Sequence, residues 1–267
     1  MKWRVKDSLR NGGSVVYDAT NLSRKRRKAL LDELKKFDCE KKIIVFIEPV
    51  EVCKSRNLER DFKWIVPDKL YSQMLRSFNV PMKWEGWDSI EFVQSNSGVG
   101  FGLEMLKGRI EAFGDQENSH HSLSLYSHSM LCCKLFREKF MEVKGFIEEF
   151  GIAGCATVPM YIAGSEAALF HDCGKLITKD FRDSRGNSTK DAHYYGHENV
   201  GAYLYLCACA FECQITELEL LTAALINWHM RPYLTMNSSK REAEYQMLGD
   251  EFVETLEILH WADRAAH

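Results

Sequence analysis

The stretch AALFHDCGK, residues 167–175, places an adjacent His171-Asp172 pair at the end of an apolar run. Neighbouring side chains on a helix point about 100° apart, so a buried helix rarely carries polar groups at two successive positions. A metal ion held between helices explains such a pair, because imidazole binds borderline transition metals and carboxylate binds harder cations. The pair therefore indicates a divalent-cation site, provided that the rest of the chain supplies further His and Asp residues.

Further His and Asp residues occur in four other helix-like settings. His128 precedes an apolar segment, and His193 and His197 lie in the segment HYYGHE. His229 ends the apolar run AALINWH, and Asp263 lies in the segment LHWADRAA. Eight of the nine His residues fall between positions 120 and 260. This clustering predicts that several of these side chains meet at one site.

The ordered pattern of His, His-Asp, His, His and Asp resembles that of the HD-domain metal-dependent phosphohydrolase superfamily, over residues from about 118 to 267. The resemblance implies four core metal ligands and two additional ligands found in two-metal members. The core ligands are His128, His171, Asp172 and Asp263, and the additional ligands are His197 and His229. The implied cofactor is one or two divalent ions, with Mn, Fe, Ni, Co, Zn and Mg all compatible with nitrogen and oxygen ligands.

The resemblance also implies that two further residues face the substrate. Lys175 matches a lysine that meets a phosphate, and His121 matches a histidine that faces the substrate in some HD enzymes. His120 and His121 also compete with His128 for the first ligand position. We favour His128, because the apolar residues that follow it are typical of a ligand inside a core helix.

The resemblance implies hydrolysis of a phosphate ester. Asp172 would bridge two metal ions, which activate water and neutralise the phosphate oxygens, while Lys175 adds a cation. His193 is the candidate that relays a proton to the leaving oxygen, and Glu198 is an alternative for that role. For Glu198, a purely structural role or the orientation of an imidazole is an equally good interpretation.

The first hundred residues have a different pattern, in which short apolar runs alternate with helix-like segments. Such alternation predicts an α/β unit with a parallel sheet. The continuous apolar run at 43–47 is typical of a strand that is buried on both faces. The predicted strands are 14–18, 43–47 and 91–93, and the predicted helices are 23–36, 51–60 and 67–78.

Residues from about 10 to 94 resemble P-loop kinases of the polynucleotide-kinase type, through Val15–Ser23, Cys53–Arg60 and Glu85–Trp87. The resemblance implies that Asp18 ends a strand near the phosphates and that Arg60 contacts the substrate phosphate. However, the chain contains no G-x-x-x-x-G-K-[ST] motif, which supplies the phosphate cradle of such kinases. We therefore do not expect kinase activity, and this half resembles the back portion of a kinase whose front was lost, split off or left out.

From about residue 103 onward, the pattern is helical, apart from a polar loop at 180–191. We therefore predict a partial α/β P-loop kinase-like unit at 1–100, followed by an all-α HD-domain helical bundle at 101–267. The candidate helices are 123–140, 144–150, 163–171, 198–213, 217–229 and 242–260.

Composition limits the partners and the compartment. The 35 basic and 38 acidic residues give a net charge of −3, so no overall basic excess indicates nucleic-acid binding. Nine Cys residues without a secretion signal predict a reducing cytoplasm, and no apolar run approaches the roughly 18 residues of a membrane span.

The pairing of the two halves predicts the substrate class. A kinase-like half beside an HD half resembles RNA end-healing proteins, so we expect a nucleotide or RNA-end substrate and 2′,3′-cyclic phosphodiesterase or phosphatase activity. Mononucleotide phosphohydrolase activity is the alternative enzymatic function, and an inactive nucleotide-binding scaffold is the non-enzymatic alternative. The kinase-like half is expected to pack on the HD half, to support a homo-oligomer or to help hold a nucleotide or RNA end.

Overall fold

The structure is a computed structural model that describes residues 2–95, 98–119, 122–144, 157–234 and 238–267. Within those residues, the N-terminal half contains four α-helices and two strands. They are α1 (Lys2–Arg10), α2 (Arg24–Leu34), β1 (Lys42–Phe46), α3 (Val50–Leu58), α4 (Asp68–Arg76) and β2 (Ser89–Val93). The two strands pair in parallel from Lys42↔Ser89 to Phe46↔Val93, which confirms the α/β character predicted for this half.

Two predictions for the strands of this half are wrong. Residues 14–18 form no strand, and the side chain of Val16 is 97% exposed. The segment lacks a neighbour to which its backbone could hydrogen bond, since β1 pairs only with β2 within the described residues. β1 is also not buried on both faces, because Ile44 and Phe46 on its outward face are 50% and 73% exposed. No described layer covers that face.

The second half is mainly helical and ends in a long C-terminal helix. Its elements are α5 (Leu103–Phe113), α6 (Leu125–Lys144), α7 (Thr157–Phe170), α8 (Lys175–Thr178), β3 (Asp180–Arg182), β4 (Ser188–His193), α9 (His197–Glu212), α10 (Glu217–Trp228), α11 (Ser238–Leu248) and α12 (Asp250–Ala265). The predicted helices within 123–140, 163–171, 198–213 and 217–229 are confirmed. The helix predicted at 144–150 lies outside the described residues, apart from Lys144 at the end of α6.

Two corrections apply to this half. It is not all-α, because β3 and β4 form an antiparallel hairpin where a polar loop was predicted. The Asp183 carboxylate accepts hydrogen bonds from the backbone of Arg185 and Asn187, and Gly186 adopts a φ of 89°, so the turn has suitable chemistry. The helix predicted at 242–260 is two helices, because Gly249, with a φ of 82°, separates α11 from α12.

The two halves share one hydrophobic core. Phe78 of the N-terminal half packs edge-on against Tyr203 of α9, with ring centroids 5.2 Å apart. The Tyr203 hydroxyl donates to the Glu48 carbonyl at 2.7 Å. Because the halves are joined by apolar and polar contacts, the sheet and α4 are held against α9. The domain limit at residue 100 stays a prediction.

A buried ion pair stabilises the N-terminal half. The Arg27 guanidinium binds both carboxylate oxygens of Glu85, at 2.8 Å and 2.7 Å, with both side chains almost fully buried. Arg27 also donates to the backbone carbonyls of Asn21 and Leu22. These bonds tie α2 to the segment before β2. None of the described helices combines the length and apolar character needed to cross a bilayer.

Candidate metal centre

The structure brings all six predicted ligand residues together, and each is buried. All six lie at or next to helix ends. His128 lies in the first turn of α6, His171 and Asp172 follow α7, His197 begins α9, His229 follows α10 and Asp263 lies in the last turn of α12. Helix ends leave backbone carbonyls and amides without partners in the helix, so polar side chains are accommodated there more easily than in helix interiors.

His128, His171 and Asp263 form the first group of candidate ligands. The Nε2 atoms of His128 and His171 lie 3.2 Å apart. Oδ1 of Asp263 lies 3.1 Å from Nε2 of His128 and 3.4 Å from Nε2 of His171. Three donor atoms therefore converge on one point, from helices that are far apart in the sequence.

Asp172, His197 and His229 form the second group. The Nε2 atoms of His197 and His229 lie 3.1 Å apart, and Oδ1 of Asp172 lies 3.2 Å from Nε2 of His197. The other oxygen of Asp172, Oδ2, lies 3.4 Å from Nε2 of His171 in the first group. The Asp172 carboxylate thus stands between the two groups and presents one oxygen to each.

The four imidazoles share one hydrogen-bond arrangement. Nδ1 of His171, His197 and His229 lies 2.7–2.9 Å from the carbonyl oxygen of the residue three positions earlier, and Nδ1 of His128 lies 3.4 Å from the Ala266 carbonyl. A carbonyl can only accept, so each contact favours a proton on Nδ1 and directs Nε2 into the cluster, where a metal ion would bind.

The two carboxylates of the cluster are anionic. Burial opposes ionisation of Asp263, yet the cationic His171 and hydrogen bonds from His128 and His171 hold the pKa of its carboxyl well below its ordinary value. Burial likewise opposes ionisation of Asp172, and the nearby Lys175 ammonium lowers the pKa of that carboxyl. The two carboxylates face the Lys175 ammonium and the cationic His171, so a divalent cation that bound here would displace the second proton of His171.

The imidazoles differ in their proton affinity. Although burial opposes protonation of His171, the Asp172 and Asp263 carboxylates raise its pKa to about 10. Burial and the neighbouring His197 lower the pKa of His229 to about 3. His171 therefore keeps a second proton beside the carboxylates, and a divalent cation bound in its place would bring a higher positive charge.

Lys175 lies directly against the cluster. Its Nζ is 2.7 Å from Oδ2 of Asp172 and donates to Oε1 of Gln116 at 2.7 Å. The ammonium also lies 5.4 Å from the centre of the Tyr194 ring, and the side chain is buried. Lys175 therefore orients the carboxylate that joins the two groups, and its predicted contact with a substrate phosphate stays a prediction.

The other candidate residues lie outside the six-residue cluster. His193 ends β4 and stacks on Tyr195, and its buried Nε2 atom has no hydrogen-bond partner among the described residues. Arg60 follows α3 and is exposed. His121, the predicted substrate-side histidine, lies outside the described residues, as does His120. The roles assigned to His193, Arg60 and His121 stay predictions.

Two contributors to the site were not found from the sequence. The Tyr233 hydroxyl donates to Oδ2 of Asp263 at 2.8 Å, which leaves Oδ1 facing the two imidazoles of the first group. Gln116 is buried and holds Lys175 through its side-chain oxygen. Neither residue lies in a motif, and each acts on a residue that is distant in the sequence, so no signal in the sequence could have identified them.

Comparison with known proteins concerns the N-terminal half. A family model described as an AAA domain matches residues 1–81. An L-seryl-tRNA(Sec) kinase from Methanococcus maripaludis is 30% identical over 84 residues, which are 32% of this chain and 32% of the kinase. The chain thus spans about a third of the length of this curated relative. No solved structure matches.

Residues 1–81 are therefore similar to P-loop kinase-like domains. The family match ends before His128, so the metal centre is described by its geometry alone. The donor set of four imidazole nitrogens and two carboxylates suits a divalent transition metal. Each group offers three donors, as catalytic metal sites do when they keep a position open for water or substrate.

Proposed function

We propose that this protein is a metal-dependent phosphohydrolase of the HD-domain type, acting on a phosphate ester of a nucleotide or an RNA end. The observation that carries this proposal is the position of Asp172, whose two oxygens face two separate groups of imidazole nitrogens. A carboxylate shared between two cations is the arrangement used by two-metal hydrolases of phosphate esters. A structural role for the cluster would not require every imidazole to direct its Nε2 atom inward.

The side chains around the cluster support this chemistry. When bound, divalent cations supply charge that neutralises phosphate oxygens and activates water. Lys175 and Tyr233 each hold one carboxylate of the cluster by a bond of 2.7–2.8 Å. These bonds keep the oxygen donors oriented before any ligand arrives, so little reorganisation is needed during the reaction. Lys175, Asp172 and His193 are the candidates for direct roles in catalysis.

The substrate class rests on the N-terminal half. This half is kinase-like, and its curated relative is named as a kinase of an aminoacylated tRNA. A nucleotide or an RNA end is therefore the ligand class that we propose, with 2′,3′-cyclic phosphodiesterase or phosphatase activity. A mononucleotide phosphohydrolase is the alternative substrate assignment. An inactive nucleotide-binding scaffold is the alternative of another class, and the intact six-residue cluster argues against it.

The test combines metal analysis with a hydrolysis assay. Purified protein is analysed for bound transition metals, and release from a chromogenic phosphodiester is measured with and without added Mn²⁺. We expect bound metal and metal-dependent hydrolysis, followed by activity on a panel of cyclic and linear nucleotides. Protein that neither binds metal nor gains activity with Mn²⁺ would overturn the proposal and favour the scaffold.

Three variants sharpen the test. Asp172→Asn should abolish hydrolysis and reduce bound metal, because one oxygen no longer carries shared negative charge. His229→Gln should lower the metal content by removing one donor of the second group alone. Asp38→Asn is the matched control, since Asp38 is an exposed carboxylate in the other half. It should behave as the unmodified protein does.

A further inference from the structure

A cavity of about 250 Å³ lies between the two halves of the molecule. It is lined by Arg24 and Trp84 of the N-terminal half and by Glu198, Trp228 and Arg231 of the second half. Glu198 follows His197 directly, and Arg231 comes two residues after His229, so the cavity adjoins the second group of candidate ligands. Apart from Glu198, the alternative proton relay, none of these side chains has a role in the metal chemistry described above.

Arg24 is the most informative residue in the cavity. Its guanidinium lies over the Trp228 ring, 4.4 Å from the ring centre, and its Nη2 atom is 3.5 Å from the Glu244 carboxylate. Its Nη1 atom is buried and has no acceptor among the described residues. Leaving a charged donor buried without an acceptor is costly, so an anionic ligand at this position would be bound favourably.

A second cation lies beside the first. Arg231 also pairs with Glu244, through a hydrogen bond of 2.8 Å from Nε. Two guanidinium groups therefore share one carboxylate. Glu198 also lines the cavity, and its Oε2 atom lies 3.8 Å from Nδ1 of His197. The cavity thus offers two guanidinium groups to an anion and a carboxylate that can accept from hydroxyl groups.

The asparagines of the cavity wall are already engaged. The side-chain amides of Asn79 and Asn227 both donate to Oδ1 of Asn199, at 3.1 Å and 2.8 Å, and Oδ1 of Asn227 accepts from the backbone of Val80. These bonds join the two halves and shape the cavity. Recognition of a ligand is therefore left to the arginines, Glu198 and the aromatic surface of Trp84.

We propose that this cavity binds one nucleotide unit, with its phosphate on Arg24 and Arg231, its ribose hydroxyls on Glu198 and its base against Trp84. The volume is close to the lower end of the roughly 300–1,000 Å³ found for small-molecule sites, which suits one nucleotide rather than a larger cofactor. The source is either a free mononucleotide or the terminal nucleotide of an RNA. Binding does not rest on the phosphohydrolase proposal, whereas identifying the bound unit as the substrate does.

Calorimetric titration of the full chain in EDTA tests this inference without hydrolysis. The ligands are the four nucleoside monophosphates, the four nucleosides and a tetranucleotide RNA with a 3′-phosphate. We expect the phosphate to improve affinity about tenfold or more, the effect of a hydrogen bond between charged groups. Binding of the tetranucleotide alone would assign the site to an RNA end, and binding of both would include free nucleotides.

The variant Arg24→Gln should remove the preference for nucleotide over nucleoside. Lys25→Gln is the matched control, because Lys25 is the exposed neighbour on the same helix, and it should keep the preference. If Arg24→Gln does not fold, Arg231→Gln takes its place and should reduce the preference too. Absence of binding to the unmodified chain, or a preference that survives in both arginine variants, would overturn the inference. Metal-dependent hydrolysis could persist in either case, so the two proposals fail separately.

Discussion

Replacing Asp172 by Asn tests how strongly the metal centre depends on one buried carboxylate. The substitution keeps the shape of the side chain and removes its charge. It leaves the ammonium of Lys175, which is 2.7 Å from Oδ2 and almost fully buried, without its anionic partner. We therefore expect the metal-free protein to lose stability, even though no atom of the core is removed.

The size of the loss follows from the contacts of Lys175. Removing one member of a buried ion pair costs about 3–5 kcal/mol. Gln116 still accepts from the Lys175 ammonium at 2.7 Å, so we expect a value near the lower limit, about 3 kcal/mol. Adding Lys175→Met removes the stranded charge but leaves the Gln116 oxygen without its donor, at about 1–3 kcal/mol. The double variant should therefore be more stable than Asp172→Asn by up to about 2 kcal/mol.

The assay is urea unfolding in EDTA, followed by the same measurement with Mn²⁺. In EDTA, the loss in the free energy of unfolding reports the contacts of Asp172 with Lys175 and with the imidazoles, without metal. With metal at about 100 times its dissociation constant, the unmodified protein should gain about 2.7 kcal/mol, and Asp172→Asn should gain less. Equal stability of Asp172→Asn and the unmodified protein, or a double variant that is less stable than Asp172→Asn, would refute the reasoning. Asp38→Asn should change neither quantity.

Three other perturbations test the fold and the site. A Cβ on Gly174 would lie 2.0 Å from a backbone carbonyl oxygen of α9, so Gly174→Ala should lower the free energy of unfolding by about 1–3 kcal/mol and reduce the metal content. Gly108→Ala is the control, because a Cβ there meets nothing within 4 Å, and it should be neutral or stabilising in urea unfolding. Burial lowers the pKa of His229 to about 3, so between about pH 6.5 and 3 the unfolded state binds more protons than the folded state. Stability therefore falls as the pH is lowered through this range. In EDTA, His229→Gln should lose less stability from pH 7 to pH 5 than the unmodified protein does. Arg27→Met leaves a buried carboxylate unpaired and should lower the free energy of unfolding by about 3–5 kcal/mol, whereas Arg26→Met, on the exposed face of α2, should have little effect.

Contradictory results would be equally specific. Unchanged metal content in the Gly174 variant would show that α8 and α9 adjust without moving the ligands. The same loss of stability from pH 7 to pH 5 in both proteins would assign the acid sensitivity to groups other than His229. Equal effects of the two arginine substitutions on α2 would show that the ion pair contributes no more than a surface charge.

The local sequence predicted the helices of the second half, but its predictions were wrong where the structure of a segment depends on neighbouring segments. Apolar periodicity predicted α9 and α10 closely, because each of these helices presents apolar side chains to the shared core. The apolar run at 43–47 predicted a strand, but not that one of its faces would remain uncovered. Residues 14–18 have strand-like composition and form no strand, because hydrogen-bonded pairing depends on a neighbour that the composition of the segment does not reveal.

The sequence by itself determined which residues could hold a metal. His and Asp at the ends of apolar helical runs are too costly to bury without partners, so their chemistry could be inferred without coordinates. Tyr233 and Gln116 were out of reach, because they act on residues 30 and 59 positions away and have no distinctive local pattern.

Only the tertiary structure decided whether these donors meet, since their division between two ions was implied by a resemblance and not by the residues themselves. It placed three around each of two points, with Asp172 between them, and it formed the cavity around Arg24 from both halves of the chain. Distances of 3–4 Å between side chains on separate helices depend on how those helices pack. Packing is set by contacts between residues far apart in the sequence, which local composition and spacing do not encode.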